Sequence, residues 1–316
     1  MTDTTNRNSD TLLTDIQLSV RDDATDADRQ NAQRSVAALI ARHAATVARE
    51  RAAEADLAQL TGSLNRPFAK LIDEDPRASE ALEKLGTQQL MQPEAMDALG
   101  QDAPSVLTFD TMPSAPHEGI GVRSQGFVPP YDFQWAWHDT NGHPPFNIVQ
   151  DRASGRLGVD ARSGQAPGGA PGFVNVHAGF GVFLRSDTTT QKFPHAVLNP
   201  GNFRFAVRAI GIGSNATSEG GFEITVFENG QFLTGASRKL WRSRVSGSIT
   251  SPDESASGGQ PNHLITGPEV QFTIHPGREY TFNAGIWAFS DRSTGIGAGA
   301  VQSLLQGTLT RMWVFG

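Results

Sequence analysis

The chain contains no cysteine in 316 residues. This absence excludes disulfide bonds, thiolate metal ligands and a cysteine nucleophile. Long apolar runs are also missing, because the longest aliphatic stretch, residues 36–41, is far shorter than the roughly 18 residues that indicate a membrane-spanning helix. The first 30 residues contain no apolar segment typical of a secretory signal. The sequence therefore predicts synthesis in the cytoplasm and a final location there or in an assembled extracellular particle.

Aromatic residues and glycines are scarce in the first third of the chain. Residues 1–105 contain a single aromatic residue, Phe68, and three glycines, whereas residues 106–316 contain 24 aromatics and 30 glycines. Large aromatic side chains contribute much of the buried surface of a globular core. We therefore expect the core to lie in the second part of the chain.

An excess of positive charge is missing from both parts. The net charge of −7 belongs entirely to residues 1–105, which carry 18 acidic and 11 basic side chains, and residues 106–316 carry 15 of each sign. Neither part has the basic surplus that attracts a phosphate backbone. Nucleic acid is therefore not expected as a partner.

Strand patterns dominate the second part of the chain. In residues 270–289, two runs with a two-residue apolar period meet at Pro276-Gly277, and the final run, residues 309–315, is largely apolar on both faces. A two-residue period is typical of strands with one buried side, and a strand apolar on both faces is central or covered. About eight to ten such runs predict an antiparallel two-sheet sandwich of jelly-roll type.

These patterns divide the chain into four segments. The polar composition at the start predicts a flexible arm, and the prolines at 104, 113 and 116 predict a linker near the boundary between the two main parts. We therefore predict a polar arm at 1–24, a helical assembly region at 25–105, a proline-rich linker at 106–121 and an antiparallel β-sandwich domain at 122–316.

A long helix is predicted to begin at Thr25, which forms a capping-box pattern with Asp28, and to end before Gly62. Its apolar stripe is too narrow for a globular core and suits packing against one or two other helices. Such a helix is marginal alone, and symmetric copies of the chain are its simplest partners. The residues predicted to join the copies are Val36, Ile40, Val47, Leu57 and Leu60.

Histidine and carboxylate side chains cluster in the stretch WHDTNGHPP. His138, Asp139 and His143 offer donor atoms to a divalent metal. The same stretch contains Asn, Gly and two prolines, which a tight turn requires. We therefore interpret it as a turn and predict neither a metal nor another cofactor.

Two tryptophans precede that turn. Aromatic residues in strands mostly fill the core, but Trp135 and Trp137 are expected to include one exposed ring because the turn follows them. An exposed indole could stack on a sugar. Together with His138, Asp139 and His143 they form the predicted ligand-binding group.

Catalytic patterns are absent from the sequence. There is no G-x-S-x-G stretch for a serine nucleophile. Glu223 and Glu228 are five residues apart on one predicted strand, so they point to opposite faces and cannot form the facing pair of a glycosidase. Glu223 is interpreted as an ordinary outward-facing strand residue, and no enzyme activity is predicted.

The sequence therefore favours a structural or interaction protein. We predict a homo-oligomer, assembled through its N-terminal helix, that builds or decorates a larger particle or fibre such as a virion or a tail. A carbohydrate-binding β-sandwich module is the alternative hypothesis, and a pore-forming toxin is a second one. The expected partners are copies of the chain, with a glycan or another particle protein in addition.

Overall fold

The structure, a computed structural model, describes residues 16–81, 84, 124–141, 146–163, 172–212, 214–246, 253–258, 265–293 and 296–316. These residues form a mainly β protein with two antiparallel sheets and few helices. The long helix is α1 (Asp26–Glu74). The strands are β1 (Gln17–Val20), β2 (Ser124–Phe127), β3 (Phe133–Asn141), β4 (Phe146–Asp151), β5 (Arg156–Ser163), β6 (Gly172–Leu184), β7 (Thr190–Ile212), β8 (Asn215–Glu228), β9 (Gln231–Ser246), β10 (Asp253–Gly258), β11 (Ile265–Thr266), β12 (Phe272–Ile274), β13 (Tyr280–Ser293) and β14 (Ile296–Phe315).

The strands pair in two sheets. The six-stranded sheet has the order β1-β3-β6-β13-β8-β9. The eight-stranded sheet has the order β10-β7-β14-β5-β4, and β11 and β12 also pair with β7 while β2 pairs with β14. The described pairings are all antiparallel. The prediction of a mainly β protein with antiparallel sheets is confirmed.

The inner faces of the two sheets share one hydrophobic core. The alternation along β6 buries Val176 and Phe180 on the same side as Ile224 of β8, and these residues belong to one cluster with Leu305 and Leu309 of β14. A two-residue period places every second side chain of a strand on one face. The arrangement is therefore sandwich-like, with each sheet burying the apolar face of the other.

Helix α1 covers the outer face of the six-stranded sheet. Its first turns bury Val36, Leu39 and Ile40 against Phe133 and Phe227 of that sheet. This second cluster also contains both tryptophans of β3. A helix with a narrow apolar stripe needs such a partner, and the chain's own sheet supplies it for the first half of α1.

The start of α1 follows the sequence pattern. Thr25 Oγ1 accepts a hydrogen bond from the backbone N–H of Asp28 at 3.2 Å, and the Asp28 carboxylate accepts one from the backbone N–H of Thr25 at 3.2 Å. The helix runs past Gly62 to Glu74 and includes Pro67, although the sequence predicts an end before Gly62. A glycine costs only about 1 kcal/mol in a helix interior, so it need not end one. Within the described residues, no helix has both the length and the apolar character needed to cross a bilayer.

Candidate functional site

A cleft opens where α1 passes from the apolar part of the outer sheet face to a polar part. It has a volume of about 320 Å³. Its walls come from α1 and from the adjacent strands β6, β13, β8 and β9 beneath the helix. The side chains and backbone that line it include His43, Thr46, Val47, Asn175, His177, Glu219, Glu223, Lys239 and Trp287.

Three elements bring His43, His177 and Glu223 together at the floor of this cleft. His43 follows Ile40 by three residues on α1, which keeps it on the buried face of the helix. His177 on β6 and Glu223 on β8 occupy outward positions between inner-face residues such as Val176 and Ile224. Both are buried because the helix lies over them.

The donor atoms of these three side chains converge. Nδ1 of His177 lies 3.0 Å from Oε1 of Glu223, and Nε2 of His43 lies 2.7 Å from Oε2 of the same carboxylate. The first contact is a hydrogen bond. The second has the distance but not the alignment of a hydrogen bond, since Nε2 of His43 is buried without an aligned partner. Each carboxylate oxygen therefore faces one imidazole.

The His177 imidazole is fixed on several sides. Its Nε2 lies 3.1 Å from Oδ1 of Asn175. Its ring stacks on Trp137 of β3 with a centroid distance of 4.2 Å and an angle of 13° between the planes. Trp287 of β13 lies on the opposite side, with centroids 6.2 Å apart. Trp137 and Trp287 are both directly opposite His177 in the strand register, so the ring lies between two indoles.

The two buried groups on the sheet titrate abnormally. Burial lowers the pKa of His177 to about 4, and the nearby His43 acts in the same direction against the raising effect of Glu223. Burial alone raises the pKa of Glu223, but the charge of His43 and the hydrogen bond of His177 outweigh it and hold the pKa below its usual range. At neutral pH the cleft floor therefore carries a buried carboxylate beside an uncharged His177.

Charged side chains surround the mouth of the cleft. Glu219 forms ion pairs with Lys239 and with Arg242, the latter at 3.0 Å. Nε1 of Trp287 donates a hydrogen bond to Ser237 Oγ at 2.9 Å. The mouth is polar and the floor holds two imidazoles and a carboxylate, which together are a donor set for a divalent metal.

The structure describes four residues of the predicted ligand-binding group, and two of them are buried. Trp135 is 0% exposed and Trp137 is 2% exposed, because α1 lies over both. The expectation of an exposed indole in this pair is therefore corrected. His138 and Asp139 are half-buried near the end of β3, where the His138 ring packs on Phe146 with centroids 4.2 Å apart. His143 lies outside the described residues.

The predicted oligomerisation residues fall into three groups. Val36 and Ile40 are buried in the chain's own core, so they are not available to a second copy while α1 stays in place. Val47 is half-buried and lines the cleft. Leu57 and Leu60 belong to α1, but their side chains lie outside the described part of the chain.

Sequence reasoning missed His43, His177 and Glu223 as a group. The signal for His43 was present, since it continues the buried face of Val36 and Ile40 along the helix. Glu223 was correctly assigned to the outer face of its strand. Its burial was missed because strand alternation gives the face of a residue but not what covers that face.

Comparisons of this chain with known proteins give matches to solved structures at low identity and low TM-score. No family model matches it, and no curated protein matches it. A structure of the infectious bursal disease virus Gt strain aligns at 10% identity over 66% of this chain and 45% of that one, with a TM-score of 0.14. The GH31 alpha-xylosidase from Xanthomonas citri aligns at 8% identity over 61% of this chain and 22% of that one, with a TM-score of 0.11. The chain spans less than half the length of either, and at these scores neither likeness bears on its fold or function.

Proposed function

We propose that this chain is a structural protein whose copies assemble through the second half of helix α1. One observation carries the proposal: every described side chain of α1 after Val47 is exposed, including Leu71 at 63%. The helix continues for 27 residues beyond Val47, to Glu74, which is about 40 Å at about 1.5 Å per residue.

A helix of this length without tertiary packing is marginal in water. Most helix stability in proteins comes from burying one face of the helix against a partner. The first half of α1 has such a partner in the six-stranded sheet, and the described side chains of the second half have none within the chain. Copies of the same helix supply the missing surface in the simplest way, because soluble homo-oligomers form closed symmetric assemblies.

The β part of the chain would be the globular domain of each copy, and the helices would join the copies. We propose that it is a jelly-roll sandwich, in which eight strands form two Greek keys. The support is the order of eight strands, which are β5, β6, β7, β8, β9, β10, β13 and β14 along the chain. Numbered one to eight in that sequence, they are ordered six-three-eight-one in one sheet and two-seven-four-five in the other. Jelly rolls occur in capsid shells and in lectins, so the proposal of a particle component rests on the helix and not on the fold alone.

A sugar platform at Trp135 and Trp137 is not part of the proposal, because α1 covers both rings. Among the described residues, the cleft mouth offers an outside partner both an indole and charged side chains, because Trp287 is half-buried beside Glu219 and Lys239. A glycan or another particle protein would have to bind there or elsewhere on the exposed surface.

Molar mass in solution tests the proposal. Light scattering of the full chain at micromolar concentration is expected to give a multiple of 33.9 kDa. The double substitution Leu57→Glu and Leu60→Glu should give the monomer, because two charges on the proposed contact would oppose association. The pair Ala55→Glu and Gln59→Glu is the control, since the helical period places these positions on the opposite side of α1. A monomeric wild-type chain, or equal masses for the two double variants, would refute assembly through this helix.

A further inference from the structure

We infer that His43, His177 and Glu223 bind one zinc ion per chain, and that the ion ties helix α1 to the six-stranded sheet. Two imidazole nitrogens and one carboxylate are a donor set that zinc takes where it keeps a fourth position for water. The cleft above the three side chains provides space for that water. The inference is independent of self-assembly, because it concerns the first half of α1 only.

The three ligand atoms are already close to the spacing that zinc requires. They all lie within 4.8 Å of one another. In a tetrahedral site with bonds of about 2.0–2.2 Å, neighbouring ligand atoms lie about 3.4 Å apart. The contacts of 3.0 Å and 2.7 Å to the Glu223 oxygens would have to open by less than about 1 Å to admit the ion.

The position of the proton on His177 decides which of its nitrogens is available to a cation. A neutral imidazole has one N–H, yet Nε2 faces Oδ1 of Asn175 at 3.1 Å and Nδ1 faces Oε1 of Glu223 at 3.0 Å. With its proton on Nδ1 the imidazole donates to Glu223, whereas with its proton on Nε2 it donates to Asn175 and leaves the Nδ1 lone pair facing the Glu223 carboxylate, where a cation can bind both. A zinc ion between these two acceptors turns the contact into a pair of metal bonds, with Asn175 as the outer partner that orients the imidazole.

His43 supplies a second argument. Its Nε2 is buried and has no aligned hydrogen-bond partner among the described residues, although a carboxylate oxygen lies 2.7 Å away. Buried polar atoms are nearly always paired. Bonding of Nε2 to a metal held by Glu223 would satisfy it. Because His43 is on α1 while the other two ligands are on β6 and β8, the same ion would join the helix to the sheet.

Calorimetric titration of the metal-free full chain with zinc chloride tests this inference. The expected result is one bound zinc ion per chain. Glu223→Gln and His43→Gln should abolish the binding heat, and Asn175→Ala should weaken the affinity by about 10–100-fold as an outer partner. His275→Gln is the matched control, because His275 lies outside the cleft and should leave the titration unchanged. Cobalt in place of zinc should give the intense visible absorption of a four-coordinate site.

Two further measurements keep the test decisive if a variant fails to fold. Circular dichroism shows whether each variant keeps the wild-type secondary structure. The wild-type chain alone should melt at a higher temperature with zinc than with a chelator, because a ligand that binds only the folded chain stabilises it. Absence of zinc binding by the metal-free wild-type chain at micromolar concentration would overturn the inference. Equal zinc binding by folded Glu223→Gln and by wild type would overturn it too. His43, His177 and Glu223 would then act only as a hydrogen-bonded structural cluster.

Discussion

Single glycines of the six-stranded sheet are matched to aromatic rings on the neighbouring strands. Gly179 is directly opposite Trp135, and Gly220 is directly opposite Trp241. In each pair a Cβ atom on the glycine would overlap the ring. The absence of a side chain therefore lets the ring lie flat over the neighbouring strand, which gives the high glycine and tryptophan content of this part of the chain a common cause.

The first prediction concerns one such glycine. In Gly179→Ala, the new Cβ would overlap the Trp135 indole and lie 2.6 Å from the carbonyl oxygen of Ala284, a backbone atom that cannot turn aside. We expect a loss of about 1–3 kcal/mol in the free energy of unfolding, as for other overpacked cores. Urea denaturation followed by tryptophan fluorescence measures it.

Gly158→Ala is the control for this prediction. Its Cβ would lie 3.5 Å and 3.6 Å from the nearest side-chain atoms, which are ordinary contacts. We expect a neutral or slightly stabilising effect, of less than about 1 kcal/mol, because alanine reduces the freedom of the unfolded chain. Equal destabilisation by both substitutions would show that the indole is not the cause.

Helix α1 is one element with two different environments. Its first half has buried side chains on the sheet and makes polar contacts with the β part of the chain. Arg185 pairs with Asp28 at 2.7 Å, and Thr281 Oγ1 donates a hydrogen bond to Ser35 Oγ at 2.8 Å. The described side chains of its second half are exposed. The first half therefore belongs to the fold, and the proposed assembly would use the second half.

The second prediction follows from this division. Leu39 of α1 is buried among the tryptophans of β3, so Leu39→Ala should cost about 2–5 kcal/mol of unfolding free energy through the cavity that it leaves. Leu233→Ala should cost less than about 0.5 kcal/mol, because Leu233 is an exposed leucine. Urea denaturation at one protein concentration measures both. A negligible effect of Leu39→Ala would mean that the helix contributes little to the stability of the sheet.

The sequence predicted the sheets much better than the site. The two-residue period along segments such as β8 gives the buried inner face directly, and it placed Glu223 on the outer face correctly. It contains no information on which outer face a helix covers. His43, His177 and Glu223 come from three distant segments, and their proximity depends on the docking of α1 and on the pairing of β13 between β6 and β8. No local motif could have predicted that contact.

The response of the whole fold to acid depends on the same buried groups. Burial lowers the pKa of His177 from 6.5 to about 4, so in that range the unfolded chain binds a proton that the folded chain does not. Protons then favour unfolding as the pH falls from about 6.5 to about 4. Glu223, whose pKa is below its usual range, adds to the loss at still lower pH. Asp132 opposes it, because burial raises the pKa of that carboxyl group.

The third prediction is therefore a fall in stability on the acid side. With a chelator present, the unfolding free energy of the wild-type chain should decrease by up to about 3 kcal/mol between pH 6.5 and pH 4, since a pKa difference of one unit is equivalent to about 1.4 kcal/mol. His177→Gln should flatten this profile, because the amide does not titrate. His275→Gln should follow the wild-type profile, because His275 is only half-buried and lies outside the cleft. Urea denaturation at a series of pH values measures all three, and a wild-type profile that stays level over this range would mean that His177 takes up its proton without loss of the fold.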